Sequence, residues 1–386
     1  MIKTLVTTLA LLCGLSMSQC GWAAPVYSLT VLDRLDGQPT FAQDINSSGQ
    51  VVGYAQTPSG LTIAVLWQAG MVVNLDQWSA GVAGSNSRAH AINDHGEIAG
   101  SATARGRVHA ALWANGGFTD LDPFSASSAA FDIDRDGRVV GRSGSEAALF
   151  AGGVVTTLAD GRSSSAYGIG PTSGRIVGNA LSQYEQASTF QGGNFQYLAS
   201  PSIWSAARSI NDSGQIVGEG VNCLGGQLTR CALSWSGGDA VVLGMLGGAG
   251  ASANDINAAG QVVGYSETAG NGQHAAIWIA GAVADLNLLI ANLDDWLVYD
   301  ALAINDLGQV VGHAYNLTSR ETRSVVLTPQ TVALPSTLWL VLAGLIAVVR
   351  TAPVRVLRAG LARGAEPACG SRARDCPSGD KPLQIP

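Results

Sequence analysis

The sequence predicts an all-β fold, specifically a seven-bladed β-propeller built from four-stranded repeats. Three observations lead to this prediction. The chain is rich in glycine and poor in charge, a short phrase recurs seven times, and an aromatic residue precedes a leucine by a constant distance in six of the repeats. Repeats of about 40–45 residues that each supply four strands are typical of propeller blades.

The composition favours short strands joined by tight turns. Of 386 residues 49 are Gly, 47% are hydrophobic and only 13% are charged. A disordered chain is highly charged and poor in apolar residues, so disorder throughout is excluded. The length would accommodate two or three domains, but one closed all-β domain can also be this long.

The recurring phrase predicts the first hairpin of each repeat. It reads Ile45-Asn46-Ser47-Ser48-Gly49-Gln50-Val51-Val52-Gly53 in its first copy, and successive copies begin 36 to 48 residues apart. The other copies are Ile92 to Gly100, Ile133 to Gly141, Ile169 to Gly178, Ile210 to Gly218, Ile256 to Gly264 and Ile304 to Gly312. Asn and Asp tolerate left-handed backbone and Gly adopts positive φ, so each copy indicates a tight turn between two strands.

A second hairpin follows each phrase. In the first six repeats an aromatic residue stands eight positions before a leucine, with Gly between them. The pairs are Trp67 and Leu75, Trp113 and Leu121, Phe150 and Leu158, Phe190 and Leu198, Trp235 and Leu243, and Trp278 and Leu286. A unit of constant length fixes strand register. Each repeat thus supplies strands A to D, with tight A–B and C–D turns.

The seventh repeat predicts how the ring closes. It lacks a last strand, because Val325-Val326-Leu327 leads directly into the C-terminal segment, whereas Leu32 to Gly37 at the other end aligns with Leu243 to Gly248. The N-terminal strand is therefore expected to complete the last blade, which would leave no edge strand unpaired. An open solenoid is the alternative, but it would not require one repeat to be split between the two ends.

The two phrases together resemble the HAF-type extracellular repeat family. Its members carry an Ile-Asn-x-x-Gly-x-Val-Val-Gly phrase followed by a His-Ala-aliphatic-Trp phrase, seen here as His109 to Trp113 and His274 to Trp278. The resemblance covers nearly all of residues 26–329. It implies an exported protein and supplies no catalytic residues.

Residues 1–23 are predicted to be a signal peptide. Lys3 precedes an apolar stretch from Leu5 to Leu15, and Gly21 and Ala23 supply the small residues of a cleavage site. A buried helix is the alternative, although strand-like sequence follows at once. Residues 24–329 are then the exported propeller.

Residues 330–350 are predicted to be a membrane anchor or sorting segment. An apolar run from Leu338 to Val349 is followed by Arg350, Arg355 and Arg358, which would keep residues 351–386 as a basic, disordered cytoplasmic tail. The run and the preceding Leu334-Pro335-Ser336-Thr337 resemble the PEP-CTERM sorting signals of Gram-negative bacteria. The first Pro and the Glu of that pattern are missing here, so a plain anchor is a second possibility.

Charge and cysteine usage fit an exported domain. Between Ala24 and Val332 there are 25 Asp and Glu against 13 Arg and no Lys, a formal charge of −12. Such a domain repels phosphate backbones, so no nucleic-acid partner is expected. Cys223 and Cys231 lie close together within one repeat and are expected to form a disulfide in an oxidising compartment. A metal pair is the weaker alternative, since no His or further Cys is near.

The sequence contains no catalytic motif and implies no cofactor. His109 and His274 occupy equivalent repeat positions, which indicates a structural role. Asp132, Asp134 and Asp136 resemble the start of a calcium loop, but Ser143 stands where such a loop needs Glu, so a polar hairpin turn is the simpler interpretation. We expect no metal site and no enzyme activity.

Residues that break the repeat are the best candidates for binding. Trp78, Trp204 and Trp296 lie in D–A connections, with Tyr299 close to the last of them. In a meander the B–C and D–A loops share one face, and their lengths vary between repeats. These four residues are either padding or platforms for a ligand, extracellular polysaccharide or an envelope protein. The functional hypothesis is an exported, non-catalytic binding protein of the envelope or matrix, and the alternative is a propeller-type polysaccharide lyase or glycosidase.

Overall fold

The computed structural model describes residues 26–79, 83–191, 194–223 and 229–330. These residues form seven antiparallel four-stranded sheets, which confirms the predicted propeller. The signal peptide and the C-terminal anchor and tail lie outside the described residues. Within the described part of the chain, no helix has the length and apolar character needed to cross a membrane.

The chain begins with the strand that closes the ring and then builds blades 1 to 3. The strands are β1 (Val26–Val31), β2 (Thr40–Ile45), β3 (Val51–Gln56), β4 (Thr62–Gln68), β5 (Met71–Asn74), β6 (Ala83–Ile92), β7 (Ile98–Ala104), β8 (Arg107–Ala114), β9 (Gly117–Asp120), β10 (Ser128–Ile133), β11 (Val139–Ser143), β12 (Glu146–Ala151) and β13 (Val154–Thr157). Blades 1, 2 and 3 are β2–β5, β6–β9 and β10–β13.

Blades 4 to 7 follow in the same order. Their strands are β14 (Ser164–Ile169), β15 (Ile176–Leu181), β16 (Glu185–Gln191), β17 (Asn194–Tyr197), β18 (Trp204–Ile210), β19 (Ile216–Val221), β20 (Arg230–Trp235), β21 (Ala240–Val242), β22 (Gly247–Ile256), β23 (Val262–Thr268), β24 (Gln273–Ile279), β25 (Ala282–Asp285), β26 (Trp296–Ile304), β27 (Val310–Asn316) and β28 (Thr322–Gln330). Among the described residues, three short 3₁₀ helices occupy D–A connections, at Leu35–Gly37, Leu75–Ser79 and Leu286–Leu289.

The seventh sheet has the order β1-β28-β27-β26, so the N-terminal strand closes the ring as predicted. One detail differs from the sequence alignment. The closing strand is Val26–Val31, and the aligned hexapeptide that starts at Leu32 follows it. The alignment itself is in register, because Leu32 N donates to Ser324 O just as Leu243 N donates to Ala232 O.

The core lies between neighbouring blades. Trp113, Trp235 and Trp278 are fully buried, and Ala42, Val65 and Trp67 of blade 1 pack against Val311 and Ala303 of blade 7. Three of the four C-strand indoles also join blades through hydrogen bonds. Nε1 of Trp67 donates to Asp33 O at 2.8 Å, and Trp235 and Trp278 bond Ala199 O and Gly244 O in the same way. The constant aromatic residue therefore fastens each of these blades to the connection before it.

The phrase asparagines link neighbouring blades at the end of the propeller that carries the A–B and C–D turns, which we call the turn face. Asn46 Oδ1 accepts from its own turn, while its Nδ2 donates to Asn93 O of blade 2 at 3.1 Å. Asn93, Asn211 and Asn257 repeat the second bond, and Asn305 of blade 7 donates back to Asn46 O at 2.9 Å. This relay of amide bonds links five of the seven junctions between blades at the turn face, since blades 3 and 4 carry Asp134 and Gly170 at the asparagine position.

Candidate functional site

Each A strand carries a β-bulge two residues before the phrase isoleucine. In blade 1 the register passes from Ala42↔Gly53 to Asp44↔Val52, so Gln43 has no partner on β3. The same shift occurs in all seven sheets. A bulge breaks the alternation of side chains and re-aims one of them. The re-aimed residues are Gln43, His90, Phe131, Tyr167, Arg208, Asn254 and Leu302.

The bulge explains the last glycine of the phrase. A Cβ built on Gly53 would lie 2.0 Å from the backbone oxygen of Phe41, and the equivalent glycines of the other blades meet a carbonyl at 1.9 to 2.2 Å. No other residue fits there without moving the strand. The scaffold therefore repeats the glycine in order to hold a bulge, and each bulge holds a residue that differs between blades.

Five of these residues, His90, Phe131, Tyr167, Arg208 and Asn254, line the central channel. The A strands are innermost, because a cavity of about 350 Å³ at the turn face is bounded by the ends of all seven. Further from that mouth, towards the face that carries the B–C and D–A loops (the loop face), side chains of neighbouring blades contact one another. We call this set the channel ring: Phe41, Tyr54, Arg88, His90, Phe131, Tyr167, Arg208, Glu219, Arg230, Asn254, Tyr299, Asp300 and His313.

One part of the channel ring is a row of aromatic side chains across blades 7, 1 and 2. Tyr299 and His313 have ring centroids 6.2 Å apart, His313 meets Phe41 edge-on at 5.8 Å, and Phe41 stacks on Tyr54 at 5.1 Å. The guanidinium of Arg88 then lies over Tyr54 at 4.7 Å. Burial lowers the pKa of His313 to about 4, so this imidazole is neutral at physiological pH.

A second aromatic row continues through blades 2 to 5. His90 stacks on Phe131 at 5.8 Å, Phe131 lies 5.6 Å from Tyr167, and Arg208 covers Tyr167 at 5.5 Å. Burial, reinforced by Arg88, lowers the pKa of His90 to about 4. Both rows thus present neutral π surfaces that end in a cation.

A polar cluster completes the channel ring across blades 5 to 7. The buried Glu219 is paired with Arg208 and, at 2.5 Å, with Arg230. Burial alone would raise the pKa of Glu219, but the two guanidiniums outweigh it and hold that pKa below its usual value. Asn254 Nδ2 donates to Asp300 Oδ1 at 3.0 Å. Burial raises the pKa of Asp300 to about 7. One carboxylate is thus held ionised and the other is close to its titration point at neutral pH.

At the turn-face end of the channel, aspartate side chains form hydrogen bonds that link neighbouring blades. Asp44 accepts N–H bonds from Ile45 and from Ile92 of the next blade, Asp132 does the same with Ile133 and Ile169, and Asp255 with Ile256 and Ile304, at 2.7 to 2.8 Å. Burial, and then repulsion from Asp255, raises the pKa of Asp44 to about 7. Burial also raises the pKa of Asp132 and Asp255. These carboxylates hold blades together.

The residues considered for calcium lie in this scaffold. Asp134 occupies the phrase asparagine position of blade 3, where its carboxylate accepts from Asp136 N and Arg138 N and pairs with Arg138 Nε at 2.6 Å. The segment is a polar hairpin turn. Within the described ranges, no three His, Cys, Asp or Glu side chains are grouped so that they could hold a metal ion.

The two repeat histidines bind D-strand carboxylates. His109 Nδ1 lies 2.9 Å from Asp120 Oδ2, and His274 Nδ1 lies 2.6 Å from Asp285 Oδ2. Each pair joins the C and D strands of its own blade, in agreement with a structural role. Cys223 and Cys231 are joined by a disulfide, as predicted, which ties the B–C loop of blade 5 beside Arg230. Disulfides persist in oxidising compartments, so this bond fits an exported protein.

The four sequence-predicted ligand residues occupy different surroundings. Tyr299 belongs to the channel ring. Trp204 begins β18, and its Nε1 donates to Glu185 at 2.8 Å. Trp78 and Trp296 are half-buried against the cores beneath their connections. Their role in ligand binding stays a prediction.

Sequence reasoning missed the rest of the channel ring. For eight of the twelve residues that were missed, the signal was present at two variable positions, one just before the repeated phrase and one just after it. One is the residue two before the isoleucine, and the other directly follows the last glycine: Tyr54, Ser101, Arg142, Asn179, Glu219, Tyr265 and His313. The second set pairs across the sheet with the A strand just before each bulge.

Comparisons with known proteins identify no family. No family model and no curated protein matches the chain. Among solved structures, TolB from Acinetobacter baumannii is 9% identical with a TM-score of 0.35, and the match covers 76% of this chain and 55% of the TolB chain. AofleA from Arthrobotrys oligospora is 11% identical with a TM-score of 0.33, over 80% of this chain and 94% of that one. The chain thus spans little more than half of the TolB chain that it matches.

Proposed function

We propose that the chain is an exported, non-catalytic protein of the cell envelope or extracellular matrix that binds polysaccharide in the loop-face end of its central channel. The channel ring supports this proposal. It joins residues that differ between blades into rows of aromatic surface interrupted by amide, guanidinium and carboxylate groups. Sugar rings need both kinds of group, since their C–H faces stack on aromatic rings and their hydroxyls require hydrogen-bond partners.

The disulfide and the acidic propeller support the proposed location. A binding protein of the envelope or matrix benefits from a rigid scaffold. A closed ring whose blades are bonded to one another provides such a scaffold. Function on such a scaffold is carried by positions that differ between repeats.

The test is a polysaccharide-binding screen with two matched variants of the purified propeller, residues 24–330. Phe131→Ala removes the middle of an aromatic row, whereas Phe124→Ala removes an aromatic side chain that is 93% exposed in the D–A connection of blade 2. We expect Phe131→Ala to weaken binding at least about tenfold, as truncation of an aromatic anchor does, and Phe124→Ala to leave it unchanged.

Two outcomes would count against the proposal. If no polysaccharide binds and a pull-down from envelope extract returns one protein, a protein ligand replaces the sugar. If Phe124→Ala weakens binding and Phe131→Ala does not, the ligand binds at the rim and not in the channel. Melting curves of both variants keep a folding defect separate from a binding defect.

A second candidate function is a propeller-type polysaccharide lyase or glycosidase. The observation in its favour is the pair Glu219 and Asp300, whose environments move their pKa values in opposite directions. Such pairs supply an acid and a base at one pH. Release of reducing ends from a bound polysaccharide, abolished in Asp300→Asn, would support the enzyme. Binding without any release would leave the receptor function.

A further inference from the structure

The channel ring and the strand positions beside it concentrate cations in an acidic propeller. Of the 13 arginines between Ala24 and Val332, four lie here. Arg208 is a bulge residue, Arg88 precedes the bulge of blade 2, Arg142 follows the phrase glycine of blade 3, and Arg230 begins β20 beside the disulfide. This is a local reversal of the sign of the whole domain.

The carboxylates near these arginines already have donors within the protein. Glu219 binds Arg208 and Arg230 and accepts from Ser252 Oγ at 3.4 Å. Asp300 accepts from Asn254, and Glu185 accepts from Asn179 Nδ2 at 3.0 Å and from Trp204 Nε1. Among the four arginines, these carboxylates therefore pair only with Arg208 and Arg230.

Arg88 and Arg142 are left to bind something else. Both are exposed, and neither forms an ion pair with a described residue. Arg88 is positioned by a cation–π contact, because its guanidinium carbon lies 4.7 Å from the centroid of the Tyr54 ring. A guanidinium held in this way keeps its N–H edge free, and that edge matches a carboxylate with two parallel hydrogen bonds.

We infer that the polysaccharide recognised by the channel is acidic, built from uronate sugars whose carboxylates bind Arg88 and Arg142 while the sugar rings stack on the aromatic rows. This inference rests on the proposed function. Because the propeller as a whole has a formal charge of −12, attraction of an acidic sugar is confined to the surroundings of these arginines, and a short oligomer suits that site better than a long polyanion.

The test compares a galacturonate oligomer with the same oligomer after methyl esterification, which removes the charge and keeps the sugar. Calorimetric titration of the propeller should give at least tenfold tighter binding to the acid than to the ester. Arg88→Gln and Arg142→Gln should each reduce that preference at least threefold. Arg135→Gln, an exposed arginine at the turn-face mouth, is the control for an equal change of charge and should retain the full preference.

The outcomes separate the inference from the proposed function. Equal affinity for acid and ester overturns the inference and leaves a glycan receptor in place. If Arg135→Gln loses the preference for the acid and Arg88→Gln keeps it, the acidic group binds at the turn-face mouth. That result also overturns the inference. Failure of both oligomers and of every other polysaccharide in the screen removes the proposed function itself. Unchanged melting temperatures show that the variants are folded.

Discussion

Single carboxylates at the turn-face mouth couple the stability of the ring to protonation. The folded protein holds protons on Asp44, Asp132 and Asp255 in a pH range where the unfolded chain has released them, because burial raises their pKa values. For Asp44 this range runs from its ordinary pKa of 3.8 to about 7. The contribution of these three carboxyls to stability is therefore expected to fall as pH rises through that window.

The variant Asp44→Asn tests this coupling. From about pH 4 to about pH 7 the melting temperature of the wild type sums the carboxyls with raised pKa values, Asp300 among them, and the opposing effect of His90 and His313, whose pKa values are lowered. Asp44→Asn should remove the contribution of Asp44, so the melting temperature of the variant should rise relative to that of the wild type as pH increases through this range. Asp239→Asn, at an exposed turn residue, makes the same charge change and should keep the full slope. An identical slope in Asp44→Asn would show that this carboxyl does not titrate in the window.

Single glycines hold the bulges. In Gly218→Ala the new Cβ would lie 2.0 Å from Ala206 O, and backbone cannot move aside as a side chain can. We expect a loss of about 3 kcal/mol or more in the free energy of unfolding, measured in urea.

The control for that variant is Gly238→Ala in the same blade. No atom lies within 4 Å of the position a Cβ would take there. Its stability should stay within about 0.5 kcal/mol of the wild type. Equal stability of the two variants would mean that the strand relaxes at the bulge and that the glycine is not required.

At the scale of elements, the D–A connections carry tryptophans of two kinds. Trp78→Ala and Trp296→Ala should each cost about 2 kcal/mol or more of stability, because both indoles pack against blade cores. Trp204→Ala should cost less than about 1 kcal/mol and should instead weaken polysaccharide binding at least about tenfold. Thermal melting and titration of the three variants measure both effects.

Trp204→Phe separates stacking from hydrogen bonding at this position. It keeps an aromatic face and loses the N–H that binds Glu185. Retained affinity would assign the contribution to stacking. If Trp204→Ala melts as early as Trp296→Ala and binds normally, Trp204 is padding like the other two.

The elements also show what the sequence could predict. Hairpins, aromatic anchors and ring closure were predictable, because each depends on a residue type that must recur, such as Asn46 in its turn or Trp67 between blades. Apart from Tyr299, the channel ring was not predicted. A bulge cannot be recognised from the alternation of apolar and polar residues in a six-residue strand. In the sequence, Phe131 and Arg208 appear only as departures from the repeat, whereas in the structure the bulge directs them towards the channel. The positions were identifiable only as differences within a constant phrase.

For the whole molecule, closure by β1 is the decisive contact. Deletion of residues 24–37 should lower the melting temperature of the propeller strongly, because it exposes the edge of β28 and removes the backbone partner of Trp67 Nε1. Circular dichroism on heating measures the loss. An unchanged melting temperature would contradict closure by this strand.

A permuted chain provides the control for that deletion. Val26 pairs with Gln330, so residues 26–37 can be attached after Gln330 through a short turn, as a fourth hairpin strand. The permuted propeller should regain most of the lost stability. If it does not, the deleted residues act through something other than the seventh sheet.

The amide relay of the turn face has a direction, and this direction bears on how such a chain can change in length. Between blades, each phrase asparagine donates to the blade that follows it, and Asn305 donates to Asn46 as though the first blade came next. A duplicated repeat would bring its own asparagine Nδ2 donor and its own backbone carbonyl acceptor, so the same bond could form at each new junction. The channel offers no such freedom, because each of its residues is matched to one particular neighbour. An added repeat would therefore preserve the bonds at the turn face, whereas it would separate side chains of neighbouring blades that contact one another in the channel ring.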